Sequence, residues 1–344
     1  MGIRTGIEWT ESTWNPIRGC SRVSEGCRNC YAETVANRFK GPGEPYEGLI
    51  AKGGQWNGTV TVVDHKMYEP LRWTKPRMIF VNSMSDLFHP NVPESVIDKV
   101  FAIMALAPRH TFQILTKRPE RMHQYLMSND LAERIGWAEY EIYENVGSLR
   151  AAPYLGPRHR TMPLDNVWIG VSVENQATAN ERIPVLLDTQ AAIRWISAEP
   201  LLGPIDLSTL PYPCRVKGNI NWVVAGGESG FGARPMHPDW PRTLRDQCLA
   251  TRIPFLFKQW GEWGPKCGLN SSGQFNFFGA MVLANDGTLY EPGSLAYPEG
   301  DRRSEALAKG HERARLHYVY PRGKKVNGRE LDGRTWDQYP EAAK

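Results

Sequence analysis

Short apolar runs that end in a charged residue recur along the chain, and stretches with apolar positions at helical spacing follow several of them. The clearest runs cover 78–81, 112–115, 167–171, 193–196, 221–225 and 254–257, with weaker ones at 13–17 and 59–63. Helical spacing appears at 30–39, where Tyr31, Val35 and Phe39 share a face, and at 93–106, 119–126, 175–187 and 238–249. Strands alternating with helices predict an α/β fold with a parallel sheet. About eight units over roughly 260 residues fit a TIM-like (β/α) barrel, complete or partial. An open doubly wound sheet is the alternative.

Parity along the strands adds a direction. Side chains two apart share a face of a strand. Trp168, Gly170, Ser172 and Glu174 therefore point one way, as do Trp195, Ser197 and Glu199, and Trp222, Val224, Gly226 and Glu228. If that face is the barrel interior, tryptophans fill the bottom and small residues leave space beneath three carboxylates at the top. Barrel active sites lie at that carboxyl-terminal rim. Asp86, Lys117 and Lys258 end other runs in the same way. The alternative for each is an ordinary salt-bridged or helix-capping strand end.

The alternation fades near Gly264. Residues 1–263 are thus expected to form the barrel. Residues 264–344 are expected to form an irregular insertion and a basic, aromatic segment packed on the barrel. That last segment, with Arg329, Arg334 and Trp336, also suits contacts to phosphates and bases.

Composition narrows the class. The 344 residues are 41% hydrophobic and 23% charged, which is globular, and no apolar run reaches membrane-spanning length. The amino terminus has no apolar stretch of the secretory kind, so a cytoplasmic, reducing setting is expected. The net charge of +4 is compatible with an anionic partner. Most of the twelve tryptophans are expected in the core.

Half of the six cysteines sit at Cys20, Cys27 and Cys30 in a C-x6-C-x2-C array. In a reducing setting clustered cysteines more often bind metal than form disulfides. Structural zinc normally takes four protein ligands, and no further Cys or His lies nearer than His65. Cys214, Cys248, Cys267 or His89 would have to close a zinc site in three dimensions. A four-iron ([4Fe-4S]) cluster on three cysteines leaves one iron open to bind something else, which fits the count best. Buried unligated thiols and a catalytic thiol are the other readings. The wide spacing of Cys214, Cys248 and Cys267 favours ordinary buried thiols.

The loop ending Cys27-Arg28-Asn29-Cys30-Tyr31-Ala32 resembles the cluster loop of radical S-adenosylmethionine enzymes, particularly the spore-photoproduct-lyase-like branch. The first gap is six residues here where that superfamily usually has three, and Asn29 stands where an aromatic residue is usual. More closely, the chain resembles a family of largely uncharacterised bacteriophage and bacterial three-cysteine-motif proteins. The resemblance rests on Thr13-Trp14-Asn15-Pro16, on 115–119, on 170–174, on Ala225-Gly226-Gly227-Glu228 and on 328–336. It implies that Cys20, Cys27 and Cys30 bind a [4Fe-4S] cluster, that S-adenosylmethionine is the cosubstrate and that a reductant protein supplies the electron. Glu174, Glu199 and Lys117 become catalytic candidates. Asp86, Gly226, Gly227 and Glu228 become cofactor-binding candidates, and Arg118 and Lys258 candidates for carboxylate or phosphate contacts. A nucleic acid or nucleotide substrate and a three-Cys-motif partner protein are further implied. Two readings compete with this enzyme: a zinc- or cluster-stabilised nucleic-acid-binding protein without catalysis, and a metal-independent hydrolase using the rim carboxylates.

Overall fold

The computed structural model describes residues 5–146, 161–210, 219–265, 268–269, 275–276, 279–290, 307, 309–312 and 315–341. Its chain opens with β1 (Ser12–Trp14), β2 (Ile17–Arg18), the cysteine loop and α1 (Tyr31–Arg38). Next come β3 (Thr61–Val62), α2 (Asp64–Met67), α3 (Glu69–Arg72), β4 (Met78–Val81), α4 (Glu94–Leu106) and β5 (Thr111–Thr116). The series continues through α5 (Pro119–Leu126), α6 (Leu131–Val146), β6 (Val167–Ser172), α7 (Gln176–Asp188) and β7 (Ile193–Ala198) to β8 (Trp222–Gly226), α8 (Asp239–Ala250) and β9 (Phe255–Gln259).

Seven strands pair in parallel in the order β1-β4-β5-β6-β7-β8-β9 and curl into a half-barrel. Sequential order throughout is what strand–helix–strand crossovers of one hand produce. Of the two forms expected, complete or partial, the barrel is the partial one. The run at 59–63 is one reason. Its strand β3 pairs antiparallel with β2 as a small separate sheet and contributes nothing to the barrel wall.

Parity works as expected. Trp168, Trp195, Trp222, Phe80, Val224 and Leu256 form one buried cluster on the concave face, joined by Trp9 from the amino-terminal segment. Trp222 lies 5.4 Å from Trp195 and 5.8 Å from Trp168 between ring centroids. The alternate residues of the same strands, among them Ile169, Val171, Ile196, Val223 and Phe257, pack outward with the helices in the larger core. Gly170 is small for a reason: a Cβ there would lie 2.5 Å from the Trp195 ring.

The region after β9 is more ordered than its composition predicts. Strands β10 (Trp263–Gly264), β13 (Met281–Ala284), β14 (Leu289–Tyr290) and β15 (Leu316–Pro321) form an antiparallel sheet, with β11 (Gly268–Leu269) and β12 (Phe275–Asn276) as a separate pair between them. Most of these strands are two to four residues long and carry too little alternation to be read in sequence. The final segment covers the outer edge of β9. Phe257 donates its amide to the Trp336 carbonyl at 2.9 Å, and Leu256 bridges Asp337. Trp336 is buried there, with the Arg334 guanidinium 3.9 Å from its ring. This basic aromatic stretch is thus packed on the barrel, where it satisfies backbone groups that an edge strand would leave open.

Candidate functional site

At the carboxyl ends of the strands lies a cavity of about 420 Å³, and Cys20, Cys27 and Cys30 all line it. Ser172, Ser197, Glu199, Glu228 and Lys258 line it from the barrel side. The small residues beneath the rim carboxylates leave the space that parity predicts.

The cysteine loop is held to this rim by ion pairs and hydrogen bonds that span most of the chain. Glu174, 1% exposed, accepts from Ser24 Oγ at 2.9 Å, lies 3.2 Å from Arg182 Nη1 and pairs with Lys117. The capping box that opens α7, Asn175 with Thr178, fixes the backbone directly after Glu174. Gly26 packs so closely that a Cβ would lie 2.4 Å from Glu174 Oε1. On the other side Glu228 accepts from Asn29 Nδ2 at 2.9 Å and pairs with Arg234 at 2.6 Å. Arg234 Nη2 also donates to the Glu25 carbonyl at 2.9 Å. Asp86 holds Arg118 at 2.8 Å, and Arg118 Nη2 donates to the Ser21 carbonyl at 2.9 Å. Behind the loop Arg22 pairs with the buried Glu33 of α1 at 2.6 Å.

Charges follow from this packing. Burial opposes ionisation of Glu174, yet the Lys117 and Arg182 charges outweigh it and hold the carboxyl below its usual range. Burial likewise works against Glu228, and hydrogen bonds from Arg234 and Asn29 hold it low. Burial, reinforced by Asp86, pushes the Cys20 thiol up to about 12, although the Arg118 guanidinium 3.9 Å from its sulfur works the other way. Burial also raises Cys30. This residue caps the amino end of α1, where the helix dipole favours negative charge.

Sequence-predicted residues thus fall into two groups. Glu174, Lys117, Asp86, Arg118 and Glu228 meet around the cysteine loop and have their charges engaged in placing it. Glu199 and Lys258 pair with each other at 2.8 Å, and they line the cavity as Asp86, Lys117, Arg118 and Glu228 also do. Gly226 and Gly227 serve close packing: a Cβ on Gly227 would lie 1.9 Å from the Trp260 carbonyl oxygen, and one on Gly226 would touch the Glu199 carboxyl at 3.4 Å. Ser24, Asn29 and Arg234 escaped sequence reasoning. Asn29 had a signal, standing between two cysteines where the resembled superfamily carries an aromatic ring.

Structural zinc would need a fourth ligand beside the three thiols. Cys248 lies in the outer core among the helices, so it does not reach the trio. Cys214 and Cys267 lie outside the described residues. His89 has both ring nitrogens engaged, with Nε2 2.9 Å from Ser21 Oγ and Nδ1 accepting from the Asn91 amide at 3.1 Å. Burial, then Arg118, lowers its pKa to about 4. Among the described residues none of these candidates closes a four-ligand zinc site. The sulfurs are not drawn in around a single ion either. His237, Asp239 and His317, on another part of the molecule, form the group of described ligand atoms that lie within 4.8 Å of one another. Three thiols lining one cavity, with no fourth ligand among the described residues, suit a polynuclear cluster with an open position.

The chain belongs to the family described as "Protein of unknown function (DUF5131)", which matches residues 4–340. No curated protein sequence matches it. Among solved structures it is similar to a cysteine-to-serine mutant of spore photoproduct lyase, at 10% identity and a TM-score of 0.37, covering 80% of this chain and 70% of that one. It is also similar to spore photoproduct lyase complexed with dinucleoside spore photoproduct, at 11% identity and a TM-score of 0.32, covering 73% and 66%. No helix among the described residues is long and apolar enough to cross a membrane.

Proposed function

We propose that this member of the DUF5131 family is an iron–sulfur enzyme of the radical S-adenosylmethionine kind, acting on a nucleotide or nucleic acid. The observation that carries the reading is the meeting of three thiols with the Glu199–Lys258 pair around one cavity at the barrel rim. Cys20, Cys27 and Cys30 would hold a [4Fe-4S] cluster, which when bound supplies one-electron cleavage of a sulfonium cosubstrate.

The protein supplies position, charge and exclusion of water. Glu174 and Glu228 clamp the two halves of the cysteine loop from opposite sides, so the thiols keep their places relative to the strand ends. Burial raises both thiols, and Arg118 beside Cys20 and the α1 dipole at Cys30 work against that rise. Glu199 offers a carboxylate to an ammonium group and Lys258 an ammonium to a carboxylate or phosphate, so the pair opens to embrace a zwitterionic ligand. Phe80 and Trp9 line the cavity with aromatic surface against which a base stacks.

Anaerobic reconstitution followed by iron and sulfide analysis tests this reading. About four irons per chain are expected, lost in Cys30→Ala, with release of 5′-deoxyadenosine from S-adenosylmethionine under reductant. One zinc and no iron would overturn it.

A further inference from the structure

Asn82 follows β4 directly, at the rim. It is 3% exposed, lines the cavity and has a left-handed backbone at φ 59°. Its backbone is engaged: the amide donates to the Trp14 carbonyl at 2.8 Å and the carbonyl accepts from Ser85 at 3.2 Å. Its side chain is not. Neither Oδ1 nor Nδ2 has a hydrogen-bond partner among the described residues. Asn15 beside it behaves differently, its Oδ1 accepting from Ser83 Oγ and the Met84 amide, each at 3.1 Å. The turn is therefore held by Asn15, and the Asn82 carboxamide is spare.

A buried amide with both ends unpaired is costly, and so is a positive φ. Such groups persist where a ligand supplies the missing bonds. Gln259 and Trp9 also line this cavity, and Gln259 Oε1 and Trp9 Nε1 also lack partners among the described residues. The Asn82 carboxamide carries an acceptor and a donor side by side, in a cavity that Trp9, Phe80 and Tyr31 also line.

We propose that Asn82 reads the edge of an adenine ring. Its Oδ1 accepts from the exocyclic amine while its Nδ2 donates to the adjacent ring nitrogen, a pairing for which asparagine is well shaped. This rests on reading the cavity as the ligand site and does not depend on the cluster.

Binding of adenosine to the full chain by calorimetry, before and after cluster reconstitution, tests it. Asn82→Gly keeps the left-handed backbone while deleting the carboxamide, and Asn82→Asp keeps the shape while replacing the donor; circular dichroism checks that each folds. Both should weaken adenosine binding about five- to 150-fold. Adenosine dimethylated on its exocyclic amine should bind the wild type as weakly as adenosine binds Asn82→Gly, with no further loss in that variant. Equal affinity of wild type and Asn82→Gly for adenosine, or no discrimination against the dimethylated probe, would refute the assignment. S-adenosylhomocysteine and a short oligodeoxyadenylate, run in parallel, separate the two sources of the ring: the one that loses affinity in Asn82→Gly carries it. Should iron fail to load while adenosine is still discriminated, the cluster reading falls and this one stands.

Discussion

The floor and the rim of the half-barrel are built from the same strands, yet they are stabilised by different physics. On the floor, Trp9, Trp168, Trp195 and Trp222 make an aromatic cluster held mainly by shape and area, with Trp222 Nε1 donating to the Gln338 carbonyl at 2.8 Å. At the rim, six residues beyond Trp168 and Trp222 on the same strand face, Glu174 and Glu228 hold the cysteine loop through charge-assisted bonds between groups 150 and 199 positions apart. One strand face thus carries a packing problem at one end and a positioning problem at the other. The teaching is that rim charge need not be chemistry: most of it is committed to the loop, and Glu199 with Lys258 faces the cavity.

Two substitutions of similar cost separate these roles. Glu174→Ala leaves Lys117 and Arg182 without their shared carboxylate and should cost about 3–5 kcal/mol, with loss of iron loading and faster tryptic cleavage at Arg22 and Arg28. Trp222→Ala should also cost about 3–5 kcal/mol by urea denaturation, but the folded fraction should still load iron. If the tryptophan variant loses iron as the glutamate variant does, floor and rim are not separable in this way.

A gentler probe is Gly26→Ala. The added Cβ must displace either the loop or the Glu174 carboxyl, at a cost of about 1–3 kcal/mol. Iron per chain should fall more than the melting temperature does; the reverse order would mean that Gly26 serves the fold rather than the loop.

Acid provides the smallest and most graded test. Glu174 and Glu228 titrate below their unfolded values, so the stability they contribute is complete above about pH 4.3 and disappears as pH falls through the depressed native values. Loop protection measured by proteolysis should fade over that acid window in wild type and fade less steeply in Glu174→Gln, where only the Glu228 part remains. An unchanged acid profile in that variant would assign the transition to other carboxylates.

Local periodicity made much of this legible. Alternation along 167–174, 193–199 and 222–228 identified the concave face, because side-chain direction in a strand repeats every two residues whatever the strand pairs with. Helices at α4, α5, α7 and α8 were equally readable from their spacing. Helix α6 and the antiparallel sheet after β9 were not, since the first follows no strand of its own and the second alternates too briefly.

The chain alone therefore determined which residues line the inside, where the thiols stand in sequence and that carboxylates end the strands. Only the tertiary structure decided that the barrel stops at seven strands, with its last edge covered by the Trp336–Gln338 segment. It also decided which carboxylates are spent on the cysteine loop, and that of two neighbouring asparagines Asn15 Oδ1 is paired while the Asn82 carboxamide has no partner among the described residues. The reason is range. A side chain's face is set by its own few residues, but its partner comes from whichever distant strand end the topology brings alongside.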